Sequence, residues 1–212
     1  MDRVSRLAAL GDPARLAIAD ALATSDRSPA ELTELVGIES NLLAHHLDVL
    51  ESVGLVRRTV STGDRRRKYV HLIPGSMQGL LPSPEADAYR PLFVCTQNSA
   101  RSQIAAALWK SVVGLRADSA GTHPAERVHP EAVNAARRAG LAISGARPKS
   151  IDLMSIDQYS VITVCDRAHE ELGASEDWLH WSVPDPTTIG TPQAFDAVVH
   201  ELRERIHALA GE

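Results

Sequence analysis

The 212-residue chain contains only two cysteines, Cys95 and Cys165, and they do not belong to a spaced set. So few thiols argue against a disulfide-bonded scaffold and against a four-ligand zinc site. Long hydrophobic runs are also missing. The segment after Met1 has no apolar core of the kind found in signal peptides, and no stretch approaches the length needed to cross a membrane. We therefore expect a cytoplasmic protein with no membrane partner.

Acidic residues outnumber basic ones overall, but the basic residues are concentrated in one place. The net charge of -5 gives no general attraction to nucleic acid. One short stretch nevertheless carries six basic residues against the single acidic Asp64: Arg57, Arg58, Arg65, Arg66, Arg67 and Lys68. A proline-rich segment without periodicity follows this stretch and has the composition of a semi-stiff linker. We predict two domains, at residues 1–76 and 90–212, joined by a linker at residues 77–89.

The first domain is predicted to be mainly helical. Asp12-Pro13 and Ser28-Pro29 are helix-start signals, and the second helix should stop at Gly37. A longer helix follows with leucines on one face, and then a hairpin with its turn at residues 61–64. Two helices joined by a tight turn and followed by a hairpin predict a winged helix-turn-helix.

Residues from about 7 to 72 resemble the ArsR/SmtB family of winged-helix repressors, most closely in the stretches at residues 8–16 and 46–56. The resemblance implies a homodimer that binds a double-stranded DNA operator through its second helix and its wing. The implied contacts are Ser40, Asn41, Ala44, His45 and Asp48 on the helix and Arg65, Arg66, Arg67 and Lys68 on the wing. Because no cysteine precedes Cys95, metal or arsenite sensing by this domain is disfavoured, and we predict no metal site.

The second domain opens with an apolar strand, a loop from Cys95 to Arg101, and a helix with apolar residues at Ile104, Leu108 and Val112. Backbone N–H groups at a helix N-terminus bind tetrahedral oxyanions and favour the thiolate form of a cysteine. Arg101 could hold two oxyanion oxygens while Cys95 acts as the nucleophile. Asp185, fixed between prolines, could supply a proton to a leaving group. A cysteine-to-arginine spacing can also arise by chance, and a buried cysteine at a strand end is often only a small hydrophobe.

Residues from about 89 to the C-terminus resemble the low-molecular-weight tyrosine phosphatase superfamily, which includes thiol-dependent arsenate reductases. The matching pieces are the loop, the strand-turn at residues 118–122, the helix at residues 130–139 and Asp185-Pro186. The resemblance implies an α/β fold with a four-stranded parallel sheet. It also implies Cys95 as nucleophile, Arg101 as oxyanion clamp and Asp185 as general acid. The implied oxyanion loop comprises Thr96, Gln97, Asn98, Ser99, Ala100 and Ser102, of which Asn98 and Ser102 shape the loop and stabilise the thiolate.

Two departures from that superfamily bear on the substrate. Cys165 fits the first of two further cysteines used by thioredoxin-dependent reductases, but Leu172 stands where the second would fall. Cys165 is therefore either a candidate resolving thiol or a buried structural cysteine, and a small-molecule thiol would have to complete a reductase reaction. No tyrosine follows Asp185, which disfavours phosphotyrosine and favours a small inorganic oxyanion.

These patterns leave three functions open for the fusion. The first is a DNA-binding regulator joined to a small-thiol-dependent arsenate reductase that needs no cofactor beyond the thiol co-substrate. The second is the same regulator joined to a low-molecular-weight phosphatase. The third is a non-catalytic oxyanion or redox sensor that controls DNA binding.

Overall fold

The computed structural model describes residues 3–77, 90–152, 155–173, 175 and 177–210. The chain divides into two compact units, one formed by Met1–Ser61 and Arg65–Pro82 and the other by Thr62–Asp64 and Ser83–Glu212. The predicted linker lies outside the described residues except for Met77, which is buried in the core of the first unit. Within the described ranges, no helix is both long and apolar enough to span a membrane.

The first unit contains four helices followed by a two-stranded hairpin. The helices are α1 (Arg3–Leu10), α2 (Pro13–Leu22), α3 (Pro29–Val36) and α4 (Ser40–Ser52), and the antiparallel strands are β1 (Val56–Val60) and β2 (Lys68–Leu72). The predicted winged helix-turn-helix architecture is confirmed.

Local sequence signals explain where these helices begin and end. Asp12 caps α2 by accepting hydrogen bonds from the backbone of Ala14 and Arg15. Ser28 and Glu31 form a capping box at the start of α3, and Gly37 ends that helix in the left-handed conformation with φ of 70°. Helix α1 was not predicted. A helix of eight residues is marginal by itself, and this one is stabilised by the burial of Ala9 and Leu10.

The second unit is an α/β fold with a four-stranded sheet, as predicted. Its strands are β3 (Pro91–Cys95), β4 (Asp118–Gly121), β5 (Ser160–Thr163) and β6 (Leu179–His180), all parallel and arranged in the order β4-β3-β5-β6. Its helices are α5 (Arg101–Val112), α6 (Pro130–Arg138), α7 (Asp166–Leu172) and α8 (Pro192–Ala210).

The candidate site lies at the end of the buried central strand, β3. Every residue of β3 is buried, because this strand has neighbours on both sides and apolar side chains along its length. Phe93 packs against Trp109 of α5 and against Trp181. Cys95 therefore lies at the carboxyl end of a central parallel strand, which is the edge where α/β folds bind ligands.

Candidate functional site

The carbonyl groups of the loop between β3 and α5 are fixed by hydrogen bonds from residues that follow the loop in the chain. Six consecutive carbonyls, from Cys95 to Ala100, each accept a hydrogen bond. Their donors are, in order, the backbone N–H groups of Thr122, His123 and Ala125, the side-chain amide of Gln103, and the backbone N–H groups of His129 and Ile104. Because the carbonyls are turned towards the surrounding chain, the loop can present its N–H groups towards its centre, next to the Cys95 thiol. Such a ring of donors suits a tetrahedral anion.

Asn98 shapes this loop from within. It has φ of 48°, a left-handed conformation that asparagine tolerates better than most residues. Its backbone N–H donates to the Cys95 Sγ at 3.2 Å, and its side-chain Nδ2 donates to the Ser102 Oγ at 2.8 Å. Ser102 Oγ lies 3.0 Å from Cys95 Sγ. Asn98 and Ser102 therefore both contact the Cys95 sulfur, the atom on which the resemblance implies that they act.

A buried side chain that the sequence analysis did not single out holds Asn98 in place. Gln103 Nε2 lies 3.1 Å from both the Asn98 carbonyl oxygen and Oδ1, and 3.3 Å from the carbonyl oxygen of Arg147. The backbone N–H of Lys149 donates to Asn98 Oδ1 at 2.9 Å. These contacts fix the side-chain amide of Asn98 on one face while its other end faces Ser102. No sequence motif signalled Gln103, because its partners are brought together only by the fold.

Gly121 at the end of β4 lets that strand approach the loop closely. A Cβ atom at this position would lie 2.7 Å from the carbonyl oxygen of Thr96 and 2.9 Å from the backbone nitrogen of Asn98. These distances are too short for non-bonded contacts, and both neighbours are backbone atoms. Any side chain at position 121 would therefore displace the oxyanion loop.

We predict that Gly121→Ala weakens the binding of inorganic phosphate by at least about tenfold, because loop donors misplaced by a fraction of an ångström no longer converge on one anion. Isothermal titration calorimetry of the purified chain measures this effect. Gly145→Ala is the matched control, since a Cβ at that position meets nothing within 4 Å. Equal phosphate affinity in both variants would contradict this account of the loop.

Arg101 and Asp185 lie 84 residues apart in the sequence, and the fold of the second unit brings their side chains together. Arg101 begins α5, and Asp185 precedes a 3₁₀ turn at Pro186–Thr188. The guanidinium donates to Asp185 Oδ2 at 2.8 Å and to the carbonyl oxygen of Val183 at 3.0 Å. Thr187 fixes the other carboxylate oxygen, with its N–H at 3.0 Å and its hydroxyl at 2.7 Å from Asp185 Oδ1. Thr187 is a second contact that the sequence analysis did not identify.

The Arg101 side chain is charged despite its burial. Burial alone would lower the pKa of its guanidinium, but the negative charges that the neighbouring Cys165 and Asp185 carry at the high pH where arginine titrates more than offset this and raise the pKa. A fully charged, planar donor group thus lies beside the loop and can form paired hydrogen bonds with an oxyanion.

Cys165 lies close to the same loop. Its sulfur is 3.4 Å from the Thr96 hydroxyl oxygen and accepts the backbone N–H of Ala168 at the start of α7, also at 3.4 Å. Burial raises the pKa of the Cys165 thiol, against the opposing effect of Arg101. The resting side chain is therefore a protonated thiol, which is a poor nucleophile.

A buried contact between an aspartate and a histidine follows Cys165 directly. His180 Nε2 lies 3.3 Å from Asp166 Oδ1, and both side chains are nearly inaccessible to solvent. Burial alone would raise the pKa of Asp166, but hydrogen bonds with His180 and Ser182 lower it below its usual value of 3.8. Because the folded-state pKa is depressed, the carboxylate stabilises the fold above pH 3.8, and this stabilisation is lost as the pH falls through the lower folded-state value.

We expect Asp166→Asn to reduce the free energy of unfolding by about 2 kcal/mol near neutral pH, because hydrogen bonds to a buried charge are lost. The difference from wild type should shrink as the pH falls below 3.8. Urea denaturation at a series of pH values measures both quantities. Asp157→Asn, at an exposed aspartate, is the control. A stability difference that stays constant down to the acid limit would refute the linkage.

The predicted DNA contacts lie on the surface of the first unit. The side chains of Ser40, Asn41, Ala44, His45 and Asp48 on α4 are exposed, as are those of Arg65, Arg66, Arg67 and Lys68 on the hairpin. Ser40, Ala44 and Lys68 line the same cleft, of about 380 Å³, between the start of α4 and the two strands. The cleft therefore connects the helix and wing residues that the sequence analysis grouped together.

Comparisons with known proteins agree with both units. A family model described as low molecular weight phosphotyrosine protein phosphatase matches residues 90–212, and one described as a helix-turn-helix domain matches residues 10–59. An arsenate reductase from Halalkalibacterium halodurans is 34% identical over 54% of this chain and 86% of its own length. A glutaredoxin arsenate reductase from a Synechocystis species is 30% identical over 56% and 93%.

A solved structure extends these similarities. The YwlE arginine phosphatase from Geobacillus stearothermophilus superimposes with a TM-score of 0.50 at 27% identity, covering 58% of this chain and 91% of that protein. The phosphatase family model covers more than half of the chain. The protein thus belongs to the low molecular weight phosphotyrosine protein phosphatase family and carries a helix-turn-helix domain ahead of its family region.

Proposed function

We propose that the protein is a DNA-binding transcriptional regulator fused to a small-thiol-dependent arsenate reductase. The observation that carries the enzymatic half is the loop around Cys95: its six carbonyls accept hydrogen bonds from the surrounding chain, and the backbone N–H of Asn98 donates to the Cys95 sulfur. Arsenate has the shape and charge that such a loop accepts. The 34% and 30% identical relatives named as arsenate reductases support this substrate over others.

The proposed first step is nucleophilic attack. The Cys95 thiolate attacks the arsenic atom of arsenate, and an arsenic–oxygen bond breaks as Asp185 donates a proton to the departing oxygen, which leaves as water. Arg101 and the loop N–H groups hold the remaining oxygens and stabilise the charge that develops on them. In the ligand-free molecule Arg101 is paired with Asp185, so in this step the oxyanion takes the place of the carboxylate on Arg101, and Asp185 takes up from solvent the proton that it donates.

The proposed second step is reduction. A small-molecule thiolate attacks the Cys95 sulfur, the sulfur–arsenic bond breaks, and its electron pair passes to arsenic. As(V) becomes As(III) and leaves as arsenite, while Cys95 is left in a mixed disulfide. A second thiol molecule restores the Cys95 thiol and carries away the disulfide.

An external thiol is favoured by the surroundings of Cys165. Leu172 stands in α7, where a second relay cysteine would be required, and Cys165 itself is a buried, protonated thiol. Cys165 as the resolving thiol is the competing version of this step. In that version the product is a disulfide between Cys95 and Cys165.

Phosphatase activity is the second candidate. The family description and the 27% identical arginine phosphatase favour it. The residues that follow Asp185, from Pro186 to Thr191, include no aromatic side chain to pack on a phosphotyrosine ring. This composition supports a small inorganic anion rather than an aromatic substrate.

For the first unit we propose binding of a double-stranded DNA operator through Ser40, Asn41, His45 and the wing residues Arg65, Arg66, Arg67 and Lys68. The helix-turn-helix match and the exposed positions of these side chains support the proposal. We also propose domain boundaries at residues 76 and 90, a homodimer of the ArsR/SmtB type, and a cytoplasmic location, where DNA and small thiols are both available. The exposed Val4 and Leu7 on α1 support association of two copies.

The deciding experiment measures arsenite formed from arsenate by the purified chain in the presence of a panel of small thiols, alongside hydrolysis of p-nitrophenyl phosphate. Arsenite formation that requires one thiol supports the reductase. Phosphate release without arsenite supports the phosphatase. If neither product forms but arsenate changes the affinity for DNA, the domain is a sensor.

A further inference from the structure

Three charged side chains connect the recognition helix to the wing in the first unit. Arg58, on β1, points its guanidinium at two carboxylates of α4. Its Nε donates to Glu51 Oε2 at 3.0 Å, and its Nη2 donates to Asp48 Oδ1 at 2.7 Å and also to Glu51 Oε2. The backbone N–H of Arg58 donates to the other oxygen of Glu51 at 3.2 Å. Four hydrogen bonds therefore join one residue of the wing to one face of the helix.

The carboxylates lie where an approaching DNA backbone would meet them. His45 lies four residues after Asn41, and Asp48 lies three residues after His45, so the three side chains share one face of α4. The Asp48 side chain is 65% exposed, whereas that of Arg58 is 32% exposed. Two uncompensated carboxylates on this face would repel the phosphates of DNA.

The Nε and Nη2 donors of Arg58 are committed to this pairing. Hydrogen bonds to Glu51 and then to Asp48 raise the pKa of the Arg58 guanidinium, so its charge is permanent. Its Nε and Nη2 point at the helix carboxylates and not outward from the hairpin. Arg58 thus differs from the exposed basic residues at the hairpin turn, although all of them belong to the same basic stretch of sequence.

We propose that Arg58 supports DNA binding indirectly: it neutralises Asp48 and Glu51 beside the recognition helix and does not itself contact phosphate. This inference rests on the proposed DNA binding. It assigns a role to one arginine of the basic stretch that composition alone would count as a phosphate contact.

The test is a mutant cycle on the full-length chain. Fluorescence anisotropy with a labelled duplex of mixed sequence gives the dissociation constant at several salt concentrations. Arg58→Ala should weaken binding at least about tenfold, because two like charges are left facing the DNA. Adding Asp48→Asn and Glu51→Gln to that variant should restore affinity to within about threefold of wild type.

Arg57→Ala is the matched control. It removes the same charge from the adjacent position of β1, whose side chain points to the opposite face of the hairpin. Whatever affinity Arg57→Ala loses should not be recovered by the two helix substitutions. The Glu51→Gln variant, which keeps Arg58 and Asp48, should bind at least as tightly as wild type, and this holds even if Arg58→Ala fails to fold.

The outcomes separate this inference from the function on which it rests. If Arg58→Ala is not restored and its salt dependence falls by about one phosphate contact, Arg58 binds DNA directly and the inference is overturned. Weaker binding by the variant that keeps Arg58 overturns it too. If the wild-type chain binds no DNA at any salt concentration, the proposed function fails and the inference fails with it.

Discussion

Cys95→Ser should abolish arsenite formation, with a loss of at least about 10⁴-fold in rate. The serine hydroxyl can accept the same hydrogen bonds from Asn98 and Ser102 but is not ionised at neutral pH, so it cannot attack arsenic efficiently. Serine also cannot form the sulfur–arsenic bond whose electron pair passes to arsenic when a thiolate attacks the sulfur. The assay is arsenite formation under saturating thiol.

The matched control for this prediction is the other cysteine. Cys165→Ser removes a buried thiol of the same unit but leaves the loop around Cys95 complete. We expect it to retain most of the wild-type rate if an external thiol completes the reaction. A Cys165→Ser variant as inactive as Cys95→Ser would assign the resolving step to Cys165. Full activity of Cys95→Ser would remove the covalent mechanism altogether.

Arg101→Lys is expected to lower kcat/KM for arsenate by about 10³-fold. Lysine keeps the positive charge, but it is a point donor and cannot pair with two oxyanion oxygens in one plane. The shorter reach of the ammonium also breaks the bridge from the Arg101 position to Asp185 and the carbonyl of Val183. Both the clamp and the position of the general acid are therefore affected by one substitution.

Arg116→Lys makes the same chemical change at an exposed site and should leave kcat/KM within about twofold of wild type. Steady-state kinetics with arsenate as the varied substrate compares the two variants, and circular dichroism confirms that both are folded. An Arg101→Lys variant with wild-type kinetics would show that charge alone, without the planar fork, is sufficient.

The sequence predicted those parts of the molecule that depend on local chemistry. Capping residues placed the starts of α2 and α3, and the run of apolar residues before Cys95 identified the central strand. The order of strand, loop and helix then indicated a candidate oxyanion site, because a helix N-terminus has the same donors in any protein. The parallel sheet followed from the family resemblance and not from periodicity.

Other parts of the site depend on contacts between distant segments and were not predicted. Gln103 contacts Arg147 only because α5 and the segment before β5 meet in the fold. In the sequence, Thr187 is an ordinary threonine in a turn. Only the structure shows that its hydroxyl donates a hydrogen bond to the Asp185 carboxylate. In the sequence, Arg58 is one of several basic residues in the same stretch. Its partners lie seven and ten positions earlier, on α4, and only the fold brings them next to it.

The most direct test of the central claim is mass spectrometry of the protein after one round of reaction with arsenate and a single small thiol. The account predicts one arsenite released per modified chain and the thiol attached through a disulfide to the peptide that contains Cys95. With Cys165 as the resolving group, the same experiment would show a bond between the two cysteines. Unmodified Cys95 with no arsenite released, in a protein that still hydrolyses p-nitrophenyl phosphate, would contradict the reductase and identify a phosphatase.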